Sequence, residues 1–152
     1  MKVLLLFITL SFILAGCMKE NPQLIKETDA NKKIVLSFYN IAFNQGNSVK
    51  AVDAFTGNAE ARSIKGDTLL RGRTEIANSI SNFLNSFTGV KFKSEWVYAE
   101  GEMVIVRWII ICSPKENYLA YSAGKPKEIR GATFFKLFDR KIFNSLTYWN
   151  YK

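Results

Sequence analysis

From Asp29 onward, apolar positions recur first at helical spacing and later by alternation, and this change of period divides the chain into a helical half and a stranded half. Ile34, Val35, Phe38, Ile41 and Ala42 fall on one face of a helix predicted over about Asp29 to Asn44. Asp29 can cap its start, and Gly46 can end it with a positive φ. Val49, Val52 and Phe55 share a face of a shorter predicted helix, Ser48 to Phe55. Thr56 to Gly72 has no sustained period and reads as irregular, with room for a short strand around Ala61 to Lys65. A third helix, Thr74 to Phe87, carries Ile76, Ile80, Phe83, Leu84 and Phe87 in one stripe, with Gly89 as its stop.

Beyond Gly89 the pattern alternates. Phe92, Ser94, Trp96 and Tyr98 are predicted on one face of a strand, and Lys91, Lys93 and Glu95 on the other. Ala99 to Glu102 reads as a hairpin turn. Met103 to Cys112 is apolar on both faces apart from Arg107, the pattern of a central strand covered on both sides. A loop with Pro114, Gly124 and Pro126 leads to a strand over Ile129 to Phe138, a tight turn at Asp139 to Lys141, and a last strand over Ile142 to Tyr151. Helices first and antiparallel strands after predict one α+β domain, its helices packed on one face of a curved sheet.

The N-terminal segment follows a different rule. After Lys2, residues Val3 to Ala15 are almost wholly apolar, and the run stops at Cys17, with Lys19, Glu20 and Asn21 close behind. It is shorter than the roughly 20 residues a membrane span needs, and its basic start and small-residue end mark a secretory signal peptide. Leu14-Ala15-Gly16-Cys17 resembles the bacterial lipobox. That resemblance implies cleavage before Cys17, fatty acylation (palmitate or similar) of its sulfur and new amine, and attachment to the cell envelope. Two or three acyl chains anchor a protein firmly where one does not. The expected organisation is a signal peptide over 1–16, a lipidated tether over 17–28 and a folded domain over 29–152. With Met18 rather than an aspartate after the cysteine, the periplasmic face of the outer membrane is the expected location in a diderm cell.

With 48% hydrophobic and 14% aromatic residues, the chain can build a real core. Once Cys17 carries lipid, Cys112 has no disulfide partner, and its place at the end of an apolar run reads as core. The chain has no histidine, which removes Ser-His and Cys-His dyads and leaves neither a metal site nor a cofactor to expect. The formal charge of +8 is scattered and suits an anionic membrane surface. No RNA- or DNA-binding motif accompanies it, so nucleic acid is not an expected partner.

Three patterns carry a family resemblance. Phe38-Tyr39 followed by Ala42 to Asn47, Arg71-Gly72-Arg73-Thr74-Glu75-Ile76, and the strand patterns Ala99 to Trp108 and Phe138 to Asn150 resemble the NTF2-like superfamily, especially its SnoaL-like branch. The resemblance implies a cone-shaped α+β barrel with a pocket between sheet and helices, often a homodimer through the outer sheet face. It also implies a small, largely apolar ligand, in a family that includes cyclases, isomerases, dehydratases, epoxide hydrolases and members that only bind. Tyr39 falls where ketosteroid isomerases carry their oxyanion-stabilising tyrosine. Their proton-moving carboxylate is replaced by Ser63, and the aspartate common near the final aromatic pair by Asn150. Neither side chain accepts a proton at neutral pH.

These positions predict binding of a small apolar ligand or of a partner protein rather than catalysis, with Tyr39, Phe55, Ser63, Trp96, Arg107, Tyr148 and Asn150 as candidate ligand contacts and no catalytic residue. Tyr39 is either such a contact or a core aromatic with a satisfied hydroxyl. Arg107 either pairs with Glu95 or Glu102 on the outer face or points inward to clamp an anion. Trp96, Trp108 and Trp149 read as packing or dimer-face residues. The face of the last strand carrying Asn144, Leu146, Tyr148 and Asn150 is the expected pocket wall. The alternatives are a cyclase or isomerase using Asp53, Glu60 or Asp67 as its acid, and a structural dimerisation module.

Overall fold

The computed structural model of the chain describes residues 22–64, 67–116 and 124–151. The expected signal peptide and the expected lipidation site, Cys17, lie outside the described residues. Helix α1 spans Pro22–Tyr39. It is already helical at Pro22, ahead of the expected start at Asp29, so the part of the expected tether from Pro22 to Thr28 is helical. Asn31, Val35, Phe38 and Tyr39 are its buried residues.

At Asn40–Asn44 the helix widens into a single π turn. The Asn44 side chain accepts from the Phe92 N–H at 2.8 Å and donates to the Phe92 carbonyl at 3.3 Å, tying this turn to the sheet. Helix α2 is a single turn, Ser48–Ala51, capped by Asn47, whose side-chain oxygen accepts from the Lys50 N–H at 2.9 Å. A 3-10 turn follows at Val52–Ala54.

The stretch read as irregular contains two strands, β1 at Phe55–Ser63 and β2 at Thr68–Arg71. The mostly polar, glycine-containing β1 shows little alternation and owes its place to pairing on both sides rather than to an apolar face of its own, and β2 is only four residues long. Helix α3 spans Gly72–Ser86 and buries Ile76 and Ile80. Glu75 reaches back to accept the Arg71 N–H at 2.7 Å, which supplies one of the donors left open at the helix start. The helix ends at Ser86, and Gly89 lies inside the next strand at a break in register.

Strands β3 (Phe87–Glu100), β4 (Met103–Pro114), β5 (Lys127–Phe138) and β6 (Lys141–Tyr151) complete a six-stranded sheet of order β2-β1-β6-β5-β4-β3. All neighbours are antiparallel except β1 and β6, which run parallel. The sheet is therefore mixed, curved and open, with α1 to α3 on its inner face. The β5–β6 hairpin turns through Asp139 and Arg140, both at positive φ (45° and 56°), as a two-residue turn matching strand twist requires.

The core lies between the helices and the inner sheet face, around Val35, Phe55, Val104, Val106, Phe135 and Ile142. Cys112 belongs to it, and burial pushes its thiol up to about 11. Strand β4 departs from its expected double cover: Met103 and Ile111 on its outer face are 40% and 44% exposed. Trp108 and Gly131 face each other across β4 and β5, and a Cβ on Gly131 would come within 2.4 Å of the indole. Only glycine lets the indole lie flat across β5 at that point.

Candidate functional site

Between the inner sheet face, α1 and α3 lies a cavity of about 500 Å³. Aromatic rings form much of its wall. Tyr39 stacks on Phe92 with centroids 4.2 Å apart, Phe38 meets Phe55 edge-on at 5.0 Å, and Phe83 stacks on Phe87 at 4.7 Å. The polar lining consists of hydroxyls on the sheet (Ser63, Thr133, Ser145, Thr147) and, towards β2 and α3, of Thr68, Ser79, Asn82 and Ser86. The charged side chain at its edge is Arg62, which is 52% exposed and lies 3.9 Å from Asp67. No aspartate or glutamate lines the cavity among the described residues, nor do they include a cluster of metal-ligating side chains.

A hydrogen-bonded chain crosses the buried end. Tyr39 donates its phenol hydrogen to Thr133 Oγ1 at 2.8 Å, and Trp108 donates its indole N–H to the same oxygen at 3.0 Å. Thr133 Oγ1 lies 3.1 Å from Thr147 Oγ1. Nearer the rim, Trp149 donates its indole N–H to Ser63 Oγ at 3.0 Å. Burial raises the pKa of the Tyr39 phenol, and the hydrogen bonds with Thr133 and Trp108 offset this only in part. Tyr39 is therefore a neutral phenol whose single hydrogen is already engaged.

Of the candidate contacts, the cavity brings together Tyr39, Phe55 and Ser63. Trp96, Arg107, Tyr148 and Asn150 lie on the opposite, outer face. For Trp96 the cause is a bulge: pairing passes from Ser94↔Trp108 to Trp96↔Arg107, and the extra residue, Glu95, turns Trp96 and Tyr98 outward. Trp96 is 53% exposed and stacks on Tyr98 at 5.9 Å. Arg107 bonds Glu95 at 3.0 Å, and Arg130 joins Glu95 to Glu128 with two contacts of 2.8 Å. On β6 the parity is the reverse of that expected: Ser145, Thr147 and Trp149 face the cavity, while the exposed Tyr148 and Asn150 face away. Asp53, Glu60 and Asp67 also lie off the cavity. Asp53 and Asp67 are exposed, and Glu60 pairs with Arg71 at 3.3 Å.

Sequence reasoning passed over Thr133, Thr147 and the lining roles of Trp108 and Trp149. Gly131 followed two positions later by Thr133 was the available signal, because a glycine opposite a tryptophan marks where the indole lies down and which side chain it reaches.

An open sheet backed by helices, closing over an apolar cavity, is the architecture of the NTF2-like fold. The SnoaL-like polyketide cyclase family model matches residues 33–152, and the chain belongs to that family. Solved structures sharing the fold include a SnoaL-like polyketide cyclase from Agrobacterium tumefaciens (15% identity, 79% of this chain and 91% of that one, TM-score 0.65). An LEH-like epoxide hydrolase from M. tuberculosis superposes with TM-score 0.63 at 18% identity, over 82% of this chain and 85% of its own. A protein of ketosteroid isomerase-like fold from Catenulispora acidiphila, in complex with trimethylamine, gives TM-score 0.66 at 16% identity, over 76% and 83%. None of the curated proteins matches the chain.

The buried chain predicts a ranking of stabilities. Thr133→Val removes the acceptor of two buried donors and is expected to destabilise by about 1–3 kcal/mol for each donor stranded. Tyr39→Phe, which removes a donor with its bond, is expected to cost only about 0.5–1.5 kcal/mol. Urea unfolding of both variants checks the order, and equal losses would contradict it.

Proposed function

We propose that this protein binds a small, largely apolar molecule in the inner cavity without transforming it. The observation that carries the reading is the chemistry of the lining: mostly rings and hydroxyls, with no carboxylate among the described residues to accept a proton. Proton transfer needs a group of suitable pKa within hydrogen-bond reach of the substrate. Tyr39, the position that in ketosteroid isomerases polarises a carbonyl, has its hydrogen directed at Thr133. A cavity of about 500 Å³ matches the size range of small-molecule sites. The purified protein is expected to bind a small apolar fluorophore with a change in tryptophan emission, since Trp108 and Trp149 line the cavity. It is expected to leave enolisable ketones unchanged. Turnover that is lost in Tyr39→Phe would overturn this reading in favour of an isomerase or cyclase.

We further propose that the domain is held at the cell envelope by lipid on Cys17, at the outer membrane in a diderm cell. Support comes from Leu14-Ala15-Gly16-Cys17, and among the described residues no helix is long and apolar enough to cross a membrane. Mass spectrometry of protein purified from membranes is expected to find acyl groups on an N-terminal Cys17; a free thiol there would refute the tether.

The outer face supports a second copy of this chain as partner. Trp96, Ile111, Phe134 and Tyr148 are each more than 40% exposed there, around the Glu95–Arg107–Arg130 ion pairs. Both charge signs on one patch let it be complementary to itself about a twofold axis. Sedimentation is expected to show a dimer that Tyr148→Glu dissociates, whereas a monomer at high concentration excludes it.

A further inference from the structure

We propose that Ser63 and Thr147 together form the polar anchor of the cavity, a pair of hydroxyl donors that receives one neutral carbonyl oxygen of an otherwise apolar ligand. This rests on the binding reading above and names the class of ligand, an aryl or alicyclic ketone, ester or lactone.

The direction of each hydrogen bond fixes which hydrogens remain. An indole N–H is a donor only, and a hydroxyl has one hydrogen and two lone pairs. Thr133 Oγ1 receives hydrogens from both Tyr39 and Trp108, so both its lone pairs are occupied. Its own hydrogen is therefore the one between it and Thr147 Oγ1. Thr147 accepts that bond and keeps its hydrogen for whatever the cavity holds. The same logic holds at Ser63, whose oxygen accepts from Trp149, leaving the serine hydrogen uncommitted.

Two further facts bring these hydrogens to one point. Ser63 and Thr147 are direct partners in the parallel pairing of β1 with β6, and both side chains line the cavity. Side chains at such paired positions stand roughly 5 Å apart, a gap that a single oxygen with two lone pairs can bridge. Both hydroxyls are also polarised in the same sense, because each oxygen already accepts a hydrogen bond and so donates more strongly. At Ser63 the Trp149 indole fixes this polarity, since it can only donate; at Thr147 it follows from Trp108 and Tyr39 both donating to Thr133.

The surroundings select the rest of the ligand. Arg62, the one cation among the described lining residues, sits at the edge, half exposed and 3.9 Å from Asp67, and no charged side chain lines the wall beside Ser63 and Thr147 on the sheet. A neutral acceptor suits the hydroxyl pair. The rings of Phe38, Phe55, Phe83 and Phe87 offer the body of the ligand an apolar wall.

The test compares 2-acetylnaphthalene with 2-isopropenylnaphthalene, which has nearly the same shape with C=CH2 in place of C=O, by calorimetry or tryptophan emission. Wild-type protein is expected to bind the ketone on the order of tenfold more tightly, the effect of one to two net hydrogen bonds. In Ser63→Ala/Thr147→Val the ratio is expected to fall to about one while the hydrocarbon binds as before. Thr147→Ser, which restores the hydroxyl, is expected to keep the preference. A ratio near one in wild-type protein, or a preference that survives in the double variant, overturns the anchor but leaves cavity binding standing. If wild-type protein binds neither compound, the binding reading fails and the anchor with it.

Discussion

Thr133 Oγ1 is the atom on which the interior depends. It takes a phenol hydrogen from α1 and an indole hydrogen from β4, stands on β5, and meets a second threonine on β6. Four elements are thus pinned to one another by a single hydroxyl in a water-poor core. Apolar packing alone tolerates small slips, whereas buried donors with a single acceptor do not. The close passage of Trp108 over Gly131 belongs to the same device, because it sets the indole at the height where its N–H reaches Thr133.

This use of Tyr39 has a chemical consequence. A phenol free to point into a dry pocket can stabilise a developing enolate. Here the phenol serves the fold, and the uncommitted hydroxyls lie one and two strands further along the sheet, at Thr147 and Ser63. Apart from Arg62 at its edge, the lining among the described residues is neutral, with rings for an apolar body and hydroxyls for an oxygen. Membership of a family of cyclases does not by itself supply a proton acceptor, and none lines the cavity among the described residues; function resides in the site rather than in the fold.

Much of the fold was legible because its apolar residues keep a period. Helix α3 and the four long strands follow their patterns to within a few residues, and the hairpin at Asp139 and Arg140 falls where its sequence places it. Only the end of β1 was legible, as the short strand expected around Ala61 to Lys65; the rest of it is mostly polar and gains its place from pairing with β2 and, in parallel, with the distant β6, while β2 is too short to show a period. In the site, Tyr39, Phe55 and Ser63 were found by position relative to the helices. Trp96 was misplaced by the extra residue Glu95, which no alternation count can see. Tyr148 and Asn150 were misplaced because both faces of β6 carry aromatic and polar groups, so parity could not be told from composition. The apolar outer positions of β4 read as covered because an exposed apolar face and a buried one have the same sequence.

The direct test is the titration of Tyr39, followed by NMR of ring-labelled tyrosine, with Tyr39→Phe to assign the signal. A phenol locked onto Thr133 in a dry core is held well above the ordinary tyrosine range by burial, so Tyr39 is expected to stay neutral at pH values where a free tyrosine side chain, with a pKa of about 10, has ionised. Should Tyr39 ionise as a free tyrosine does, at about 10, its hydrogen is free and its oxygen wet, and the buried chain around Thr133 does not exist.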